Sequence, residues 1–200
     1  MSKDLQFLEI EHKFIIEPDV DLGPLLDGLR LRGPEKSIQS DVLDTYFLVE
    51  YAPQVIYRHR IDSYLQQLTV KSLGSDTEVR LEVNLHLDPL KGNQIEGIQA
   101  FLAPQGVLWQ GTLRKEVQAF YFADAEVVIY RALYDQREIR CLEIEARAAH
   151  SIEEAQQVLS SWEKSLGLDP SRRSHSSLLE LLVLPSLSSS LQAKVQTMRI

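Results

Sequence analysis

The chain has 200 residues and only one cysteine, Cys141. A single thiol excludes an intrachain disulfide and a cysteine-based zinc site. No apolar run approaches the roughly 20 residues that span a bilayer, and the N-terminus has no signal-peptide pattern. We therefore predict a cytoplasmic protein that does not act in a membrane, in which Cys141 has a structural role.

Positive charge is also scarce. The chain has 21 Lys and Arg against 29 Asp and Glu, which gives a formal net charge of −8 at pH 7. Broad binding to nucleic acid or to an anionic membrane is therefore not expected, although a local basic site remains possible. Hydrophobic residues make up 44% of the chain, which is enough for one domain to bury its own core. The oligomeric state stays open.

The stretch LEIEHKFII, residues 8–16, has an alternating pattern of charged and apolar side chains. Glu9, Glu11 and Lys13 fall two apart, which is the period of a β-strand, so they share one face. The other face carries Leu8, Ile10, Phe14 and Ile16. His12 shares that apolar face, and we predict that it packs against a helix rather than binding a ligand.

Similar patterns along the chain predict about eight strands in a mostly antiparallel order. The predicted strands cover residues 5–16, 40–47, 54–62, 65–72, 77–87, 107–122, 125–134 and 138–147. Helices are predicted within 18–33, 93–103, 151–166 and 174–184. Ser151 followed by Glu154 is a capping box, and Gly167 suits the other end of that helix. The segment after Pro185 is either mobile or a short docking helix from residue 189. This is an α+β architecture built on one large sheet or barrel.

The charged positions of these strands are almost all Glu, Arg or Lys. The acids are Glu9, Glu11, Glu82, Glu143 and Glu145, and the bases are Lys13, Arg58, Arg60, Lys71 and Arg80. One alternative is an ordinary solvated sheet face. The repetition favours a closed barrel with the charges in its lumen, which would need water, ions or a ligand. Arginine and lysine match phosphate oxygens, and carboxylates match Mg²⁺ or Mn²⁺, so the set fits a metal–triphosphate complex.

The segment EIEHK resembles the Glu-x-Glu-x-Lys signature of the CYTH superfamily, the triphosphate tunnel metalloenzymes. Further similar segments follow in the family's order: LDTYF (43–47), YRHR (57–60), TVK (69–71), RLEVN (80–84), LEIE (142–145) and SHSSLLELL (174–182). The resemblance implies a tunnel domain over 1–184 and a tail over 185–200. It also implies an eight-stranded antiparallel β-barrel with a charged interior and helices packed outside.

The resemblance also implies roles for the charged residues. The metal ligands for Mg²⁺ or Mn²⁺ would be Glu9, Glu11, Glu82, Glu143 and Glu145. The substrate-binding bases would be Lys13, Arg58, Arg60, Lys71, Arg80 and Arg114, of which Lys13, Arg58, Arg60 and Lys71 would also serve catalysis. The expected activity is metal-dependent hydrolysis of tripolyphosphate, thiamine triphosphate or a nucleoside triphosphate. The alternatives are a class IV adenylyl cyclase and a non-catalytic triphosphate- or polyphosphate-binding module.

Four departures from the family pattern bear on activity. Asn84 replaces an acid, Glu116 or Val117 replaces a base, and His175 follows Ser174 in place of tyrosine. Tyr130 or Arg131 stands at the position where the family has an aspartate, and Asp135 lies only near that position.

Overall fold

The computed structural model describes residues 7–73 and 78–197, in which eight strands close into an antiparallel barrel. The strands are β1 (Leu8–Ile16), β2 (Lys36–Val49), β3 (Val55–Ile61), β4 (Gln66–Ser72), β5 (Val79–His86), β6 (Val107–Tyr121), β7 (Ala125–Tyr134) and β8 (Arg137–Ala146). Their order around the barrel is β1-β5-β4-β3-β2-β6-β7-β8. The predicted barrel is therefore confirmed. The predicted first residues of β1, at 5 and 6, and of β5, at 77, lie outside the described residues.

Strand β2 begins four residues earlier than its sequence pattern indicates. Its first residues, from Lys36 to Gln39, pair with the last four of β6, from Gln118 to Tyr121. The local alternation is weak in this polar segment, so only the long partner strand reveals that it is extended. The β2–β6 pair is consequently the longest in the barrel.

Among the described residues, four α-helices lie outside the barrel wall or at its end: α1 (Gly23–Leu31), α2 (Ile95–Leu102), α3 (Ile152–Leu166) and α4 (Ser189–Thr197). Leu29 of α1 and Leu159 of α3 are fully buried in one cluster with Ile10 and Phe14 of β1. The apolar face of β1 therefore lies outside the barrel under helices, as predicted. Among the described helices, none has the length and apolar character needed to cross a membrane.

His12 of β1 points toward helix α3. Its Nδ1 atom is 2.8 Å from the Glu163 carboxylate and its Nε2 atom is 2.9 Å from the Gln156 side-chain oxygen. Glu163 also accepts two hydrogen bonds from the Arg173 guanidinium, at 2.6 and 2.7 Å. His12 is therefore a buried polar contact between the barrel wall and α3, which confirms its predicted packing.

Both ends of α3 have the predicted caps. The Ser151 hydroxyl accepts a hydrogen bond from the Glu154 backbone N–H at 3.1 Å, and the Glu154 carboxylate accepts one from the His150 N–H. Gly167 ends the helix in the left-handed conformation with φ of 68°. This conformation costs glycine little because it has no Cβ.

We expect Ser151→Ala to lower the free energy of unfolding by about 1 kcal/mol, since the Glu154 N–H loses its acceptor. Urea unfolding followed by circular dichroism measures this loss. Ser160→Ala, on an exposed position of the same helix, is the matched control and should change stability little. An equal loss in both variants would contradict the capping role.

The prediction of a helix over 174–184 is wrong for the first residues of that range. The Ser174 N–H donates to the Lys13 carbonyl at 2.7 Å, which holds this segment along β1. Ser177 and Glu180 then exchange side-chain-to-backbone hydrogen bonds, so helical structure begins only after Ser177. A single π-helical turn follows at Leu179–Val183. Of the two alternatives for the tail, the structure has the helix, α4.

This C-terminal segment closes one end of the barrel. The side chains of this segment that form the closure are Leu178, Leu179, Leu182, Val183 and Val195. They pack against apolar side chains at one end of the strands, among them Leu48, Ile56, Leu73, Leu113, Ala132 and Cys141. Burial raises the pKa of the Cys141 thiol to about 11, so the thiol stays protonated near neutral pH. We call this the closed end and the opposite one the open end.

The outer face of β5 is an exception to the expectation that apolar faces meet the outer helices. Leu81 is 43% exposed and Leu85 is 54% exposed. Only Val79, at the start of the strand, joins the cluster beneath α1 and α3. No described helix therefore covers most of this strand.

Candidate active site

A cavity of about 490 Å³ occupies the barrel lumen, and every predicted site residue except Arg114 lines it. The charged faces of β1, β3, β4, β5 and β8 turn inward together because the strands pair in register around the closed barrel. Side chains on alternate positions of a barrel strand share the interior. The charges that the sequence spreads over 137 residues, from Glu9 to Glu145, thus meet in one space.

The predicted position of Arg114 in this site is corrected by the structure. Arg114 is exposed on the outer face of β6. The next residue, Lys115, is buried and its ammonium lies 2.7 Å from the Asp44 carboxylate. The pairing of Lys115 with Val42 and with Ala132 sets which of the two adjacent bases faces inward.

One group of ion pairs joins β1 to β4 and β5. The Lys71 ammonium is 2.8 Å from both carboxylate oxygens of Glu9 and also contacts Glu82. The Arg80 guanidinium contacts Glu11 and lies 3.1 Å from Glu9. Burial would raise the pKa of Glu9, but the charges of Lys71 and Arg80 outweigh it and hold that pKa well below its usual range. Glu9 is therefore ionised.

A second group joins β1 to β8. The Lys13 ammonium lies 3.1 Å from Glu143 and 3.5 Å from Glu11. The Tyr130 hydroxyl donates a hydrogen bond of 2.8 Å to Glu143. Burial alone would raise the pKa of Glu143, but Lys13, Lys115 and this hydroxyl lower it to about 2. Burial and the nearby charge of Glu143 instead raise the pKa of Glu11.

Glu145 and Glu126 have a different environment. They are direct partners on β8 and β7, and in the described part of the chain neither lies within ion-pair distance of a base. Burial, followed by the neighbouring carboxylates of Glu9 and Glu126, raises the pKa of Glu145 well above its usual range. Burial also raises the pKa of Glu126. This side of the lumen therefore carries an excess of carboxylates.

Sequence reasoning missed Glu126, although its spacing from Val128 and Tyr130 is the strand period. It also assigned no role to Asp44, which lies within the quoted LDTYF segment. Asp44 is fully buried and accepts hydrogen bonds of 2.7 and 2.8 Å from Arg60. Burial would raise the pKa of Asp44, but Arg60 and Lys115 hold it well below its usual range.

Two arginines keep an unused donor in the lumen. Arg58 donates to the Thr69 hydroxyl at 3.2 Å and lies 3.7 Å from Glu82. Within the described residues, the buried Nε atoms of Arg58 and Arg80 have no hydrogen-bond partner. Buried donors normally have an acceptor, and guanidinium donors match phosphate oxygens. The unpaired donors thus fit an anion in the cavity.

The acids supply the oxygen donors that Mg²⁺ and Mn²⁺ prefer. In the described part of the chain, however, no three Asp, Glu, His or Cys side chains are already grouped to hold a metal ion. The ion pairs explain this, because Lys71 holds Glu9 and Lys13 holds Glu143. The carboxylate oxygens therefore fit a divalent cation chemically, while in this structure Glu9 and Glu143 are turned toward lysine partners.

Asn84, the first departure, supports Glu82. Its amide donates to Glu82 at 2.7 Å, and its oxygen accepts hydrogen bonds from Thr69 at 2.6 Å and from Gln67 at 3.1 Å. The amide oxygen is thus already engaged by two neutral donors. Asn84 orients the Glu82 carboxylate in this arrangement.

The other departures divide between the two faces of the wall. Val117 and Tyr130 face the cavity. Glu116 and Arg131 face outward and pair with each other at 3.1 Å. The remaining departures lie away from the cavity lining: Asp135 with φ of 52°, Ser174 bonded to the β1 backbone, and the exposed His175.

Comparison with known proteins gives structural matches only. No family model and no curated protein matches the sequence. The PH1012 protein of Pyrococcus horikoshii OT3 is 21% identical with a TM-score of 0.69, over 87% of this chain and 99% of that one. A proposed adenylate cyclase of Bacillus halodurans is 15% identical with a TM-score of 0.60, over 88% of this chain and 97% of that one.

A third similar structure extends over almost the whole chain. The proposed adenylyl cyclase HpAC1 of Hippeastrum, described as having a dominant triphosphatase activity, is 13% identical. Its TM-score is 0.56, over 98% of this chain and 97% of that one. At such identities the likeness concerns the fold. The likeness shows that this chain shares the fold of these proteins, here a closed eight-stranded barrel, as the resemblance to the CYTH superfamily implied.

Proposed function

We propose that the protein is a divalent-metal-dependent hydrolase that cleaves a triphosphate bound in the barrel lumen. The observation that carries this proposal is the cavity itself, in which buried bases and acids meet and two arginine Nε donors lack an acceptor. The triphosphatase activity described for the structurally similar Hippeastrum protein supports the same chemistry. Fold likeness alone does not determine function, so the proposal rests on the site.

The bases would bind the phosphate oxygens. Lys13, Arg58, Lys71 and Arg80 line the cavity and are buried or nearly so. Arg60 would present its guanidinium in the orientation that Asp44 imposes. Positive groups already placed around a phosphoryl group stabilise the charge that develops on it and on the leaving group.

The acids would hold the metal ion. The set proposed is Glu9, Glu11, Glu82, Glu143 and Glu145, with Glu126 beside them on β7. A bound Mg²⁺ or Mn²⁺ would neutralise phosphate charge and polarise the bond to be broken. When phosphates give Lys71 and Lys13 new partners, Glu9 and Glu143 become available as ligands.

The reaction would be a displacement at the terminal phosphorus. A water oxygen forms a bond to phosphorus while the bond from phosphorus to the bridging oxygen breaks. The products are orthophosphate and the shortened diphosphate, and the proton lost by water passes to solvent. Since the C-terminal segment closes one end, the substrate would enter at the open end.

An adenylyl cyclase is the second candidate, because structurally similar proteins are described as proposed adenylate or adenylyl cyclases. In that reaction the ribose 3′ oxygen would attack the α-phosphorus and release diphosphate. The two reactions therefore differ in the phosphorus attacked and in the products. Detection of cyclic AMP and diphosphate from ATP would identify the cyclase.

The decisive experiment is a screen of tripolyphosphate, thiamine triphosphate and ATP with Mg²⁺ and with Mn²⁺. We expect orthophosphate release that falls to background with EDTA and returns when the metal is restored. Circular dichroism should show a folded protein in every sample. Tight binding of these ligands without turnover would instead identify a binding module, and neither binding nor turnover would exclude both.

A further inference from the structure

The inner surface of the barrel is not charged all round. On β2, β6 and β7, five inward-facing side chains of the cavity lining are apolar: Ile38, Val42, Val117, Ala119 and Val128. We call these five residues the apolar wall. The remaining five strands supply Lys13, Arg58, Lys71, Arg80 and most of the carboxylates. Lys36, Lys115 and Glu126 also line the cavity from these three strands, so the apolar wall is a patch bordered by charged residues, opposite the charged set of the other five strands.

Strand register makes the apolar wall continuous. Ile38 pairs with Ala119, and Ala119 pairs in turn with Val128, so three strands contribute one apolar row. In the next inward row, Ser40 pairs with Val117 and Val117 pairs with Tyr130. Directly opposed residues on one sheet face have Cβ atoms roughly 5 Å apart, which leaves no gap for water between them.

This wall is open to the cavity. Ile38, Val117 and Val128 remain partly exposed, and all three line the cavity. Val117 and Val128 also contact the apolar cluster at the closed end, so the wall continues that cluster into the lumen. Apolar surface facing a cavity is favourable only when something other than water covers it.

Two polar neighbours of the wall, Ser40 and Lys115, are already engaged, and Lys36 lies over the Tyr121 ring at 5.7 Å. Ser40 lies 3.2 Å from the Ser63 hydroxyl, so it offers the cavity little. Lys115 is held by Asp44 at 2.7 Å and lies 5.0 Å from the Tyr130 ring centre. The unused arginine donors belong to Arg58 and Arg80, on strands β3 and β5. A ligand with phosphates at one side only would match this distribution.

From this asymmetry we infer that the substrate is an organic triphosphate whose organic group lies against the apolar wall, and not inorganic tripolyphosphate. The inference rests on the proposed function, because it assumes that triphosphate binds in this lumen. Tyr64 and Leu65 at the rim of the same cavity extend the apolar contact toward the open end. A cavity of about 490 Å³ is in the size range of small-molecule sites, which are largely apolar with few polar groups.

The first test compares affinities by calorimetry, with ATP and thiamine triphosphate against tripolyphosphate at equal Mg²⁺. The inference predicts that at least one organic triphosphate binds about 10-fold or more tightly than tripolyphosphate, since small apolar contacts give about 10- to 200-fold discrimination. Equal or tighter binding of tripolyphosphate would overturn it. Preferred organic binding without turnover would reject the hydrolase and keep the inference, and no binding at all would reject both.

The second test places a charge in the wall with Val117→Lys. We expect this variant to lose about 10-fold or more affinity for the preferred organic triphosphate, while tripolyphosphate binds as well or better. Gln118→Lys, on the outward side of the same strand, is the matched control and should change neither. Val117→Thr, which keeps the side-chain shape, covers the case in which the lysine variant does not fold. It should weaken organic binding selectively, and an equal effect on both ligands would overturn the inference.

Discussion

Replacing Arg58 by methionine is expected to lower kcat/KM for triphosphate hydrolysis by about 10²–10³-fold, the usual effect of removing one preorganised donor to a developing charge. Arg58 is buried, its Nη2 donates only to Thr69, and its Nε has no partner within the described residues. Within the described residues, its ion-pair contact is with Glu82, at 3.7 Å. Its charge is therefore less committed to internal pairing than those of Lys13, Lys71 and Arg80, each of which lies 3.1 Å or less from a carboxylate.

Steady-state kinetics with the preferred triphosphate measures this effect, and thermal unfolding checks that the variant is folded. Arg131→Met is the matched control. Arg131 also makes two ion pairs, with Glu116 and Glu138, but on the outer face of the barrel. Its removal should leave kcat/KM within about twofold, because surface ion pairs contribute little. Similar losses of kcat/KM in both variants would contradict a specific role of Arg58 in the lumen.

Asp44→Asn is expected to lower the free energy of unfolding by about 3–5 kcal/mol, the usual cost of breaking a buried ion pair by removing one partner. Asp44 is fully buried and serves both Arg60 and Lys115. The neutral amide would leave two cations in the barrel wall without their common counterion. Urea unfolding measures the change. Asp41→Asn, exposed on the same strand, should change stability by less than about 0.5 kcal/mol.

The stability difference between the native chain and Asp44→Asn should depend on pH, and its sign follows from the lowered pKa of Asp44. The pKa of an unfolded aspartate is about 3.9, so the ionised carboxylate stabilises the fold fully above that value. The contribution is lost as pH falls toward the lower pKa of the folded protein. The stability difference between the native chain and Asp44→Asn should thus be constant from about pH 5 to 7 and shrink below about pH 4. A difference that grows on acidification would contradict this role.

Asp44 also illustrates which site residues the sequence reveals. Glu9, Glu11 and Lys13 can be recognised as one charged strand face because every second position in this segment carries a charge. Asp44 lies between Val42 and Tyr46 on its inward face, so its charge is isolated in the sequence. Only the approach of Arg60 from β3 and Lys115 from β6 gives it a partner.

The sequence by itself determined the number of strands and their approximate positions along the chain, the inward direction of the charges on five strands, and the outward direction of the apolar face of β1. These properties depend on the two-residue period, which is local and therefore visible in one chain. The capping of α3 by Ser151 and Gly167 was visible for the same reason, because a cap involves residues only a few positions apart.

Tertiary structure alone decided the rest. It turned Lys115 rather than Arg114 inward, placed Glu126 in the cavity lining, and buried Asp44 beside Lys115. It also held Ser174 along β1, where a helix was predicted. It also assembled the apolar wall from three strands whose residues, from Ile38 to Val128, are far apart in the chain. Each of these depends on pairing register and barrel closure, in which a shift of one residue turns every side chain of a strand to the other face.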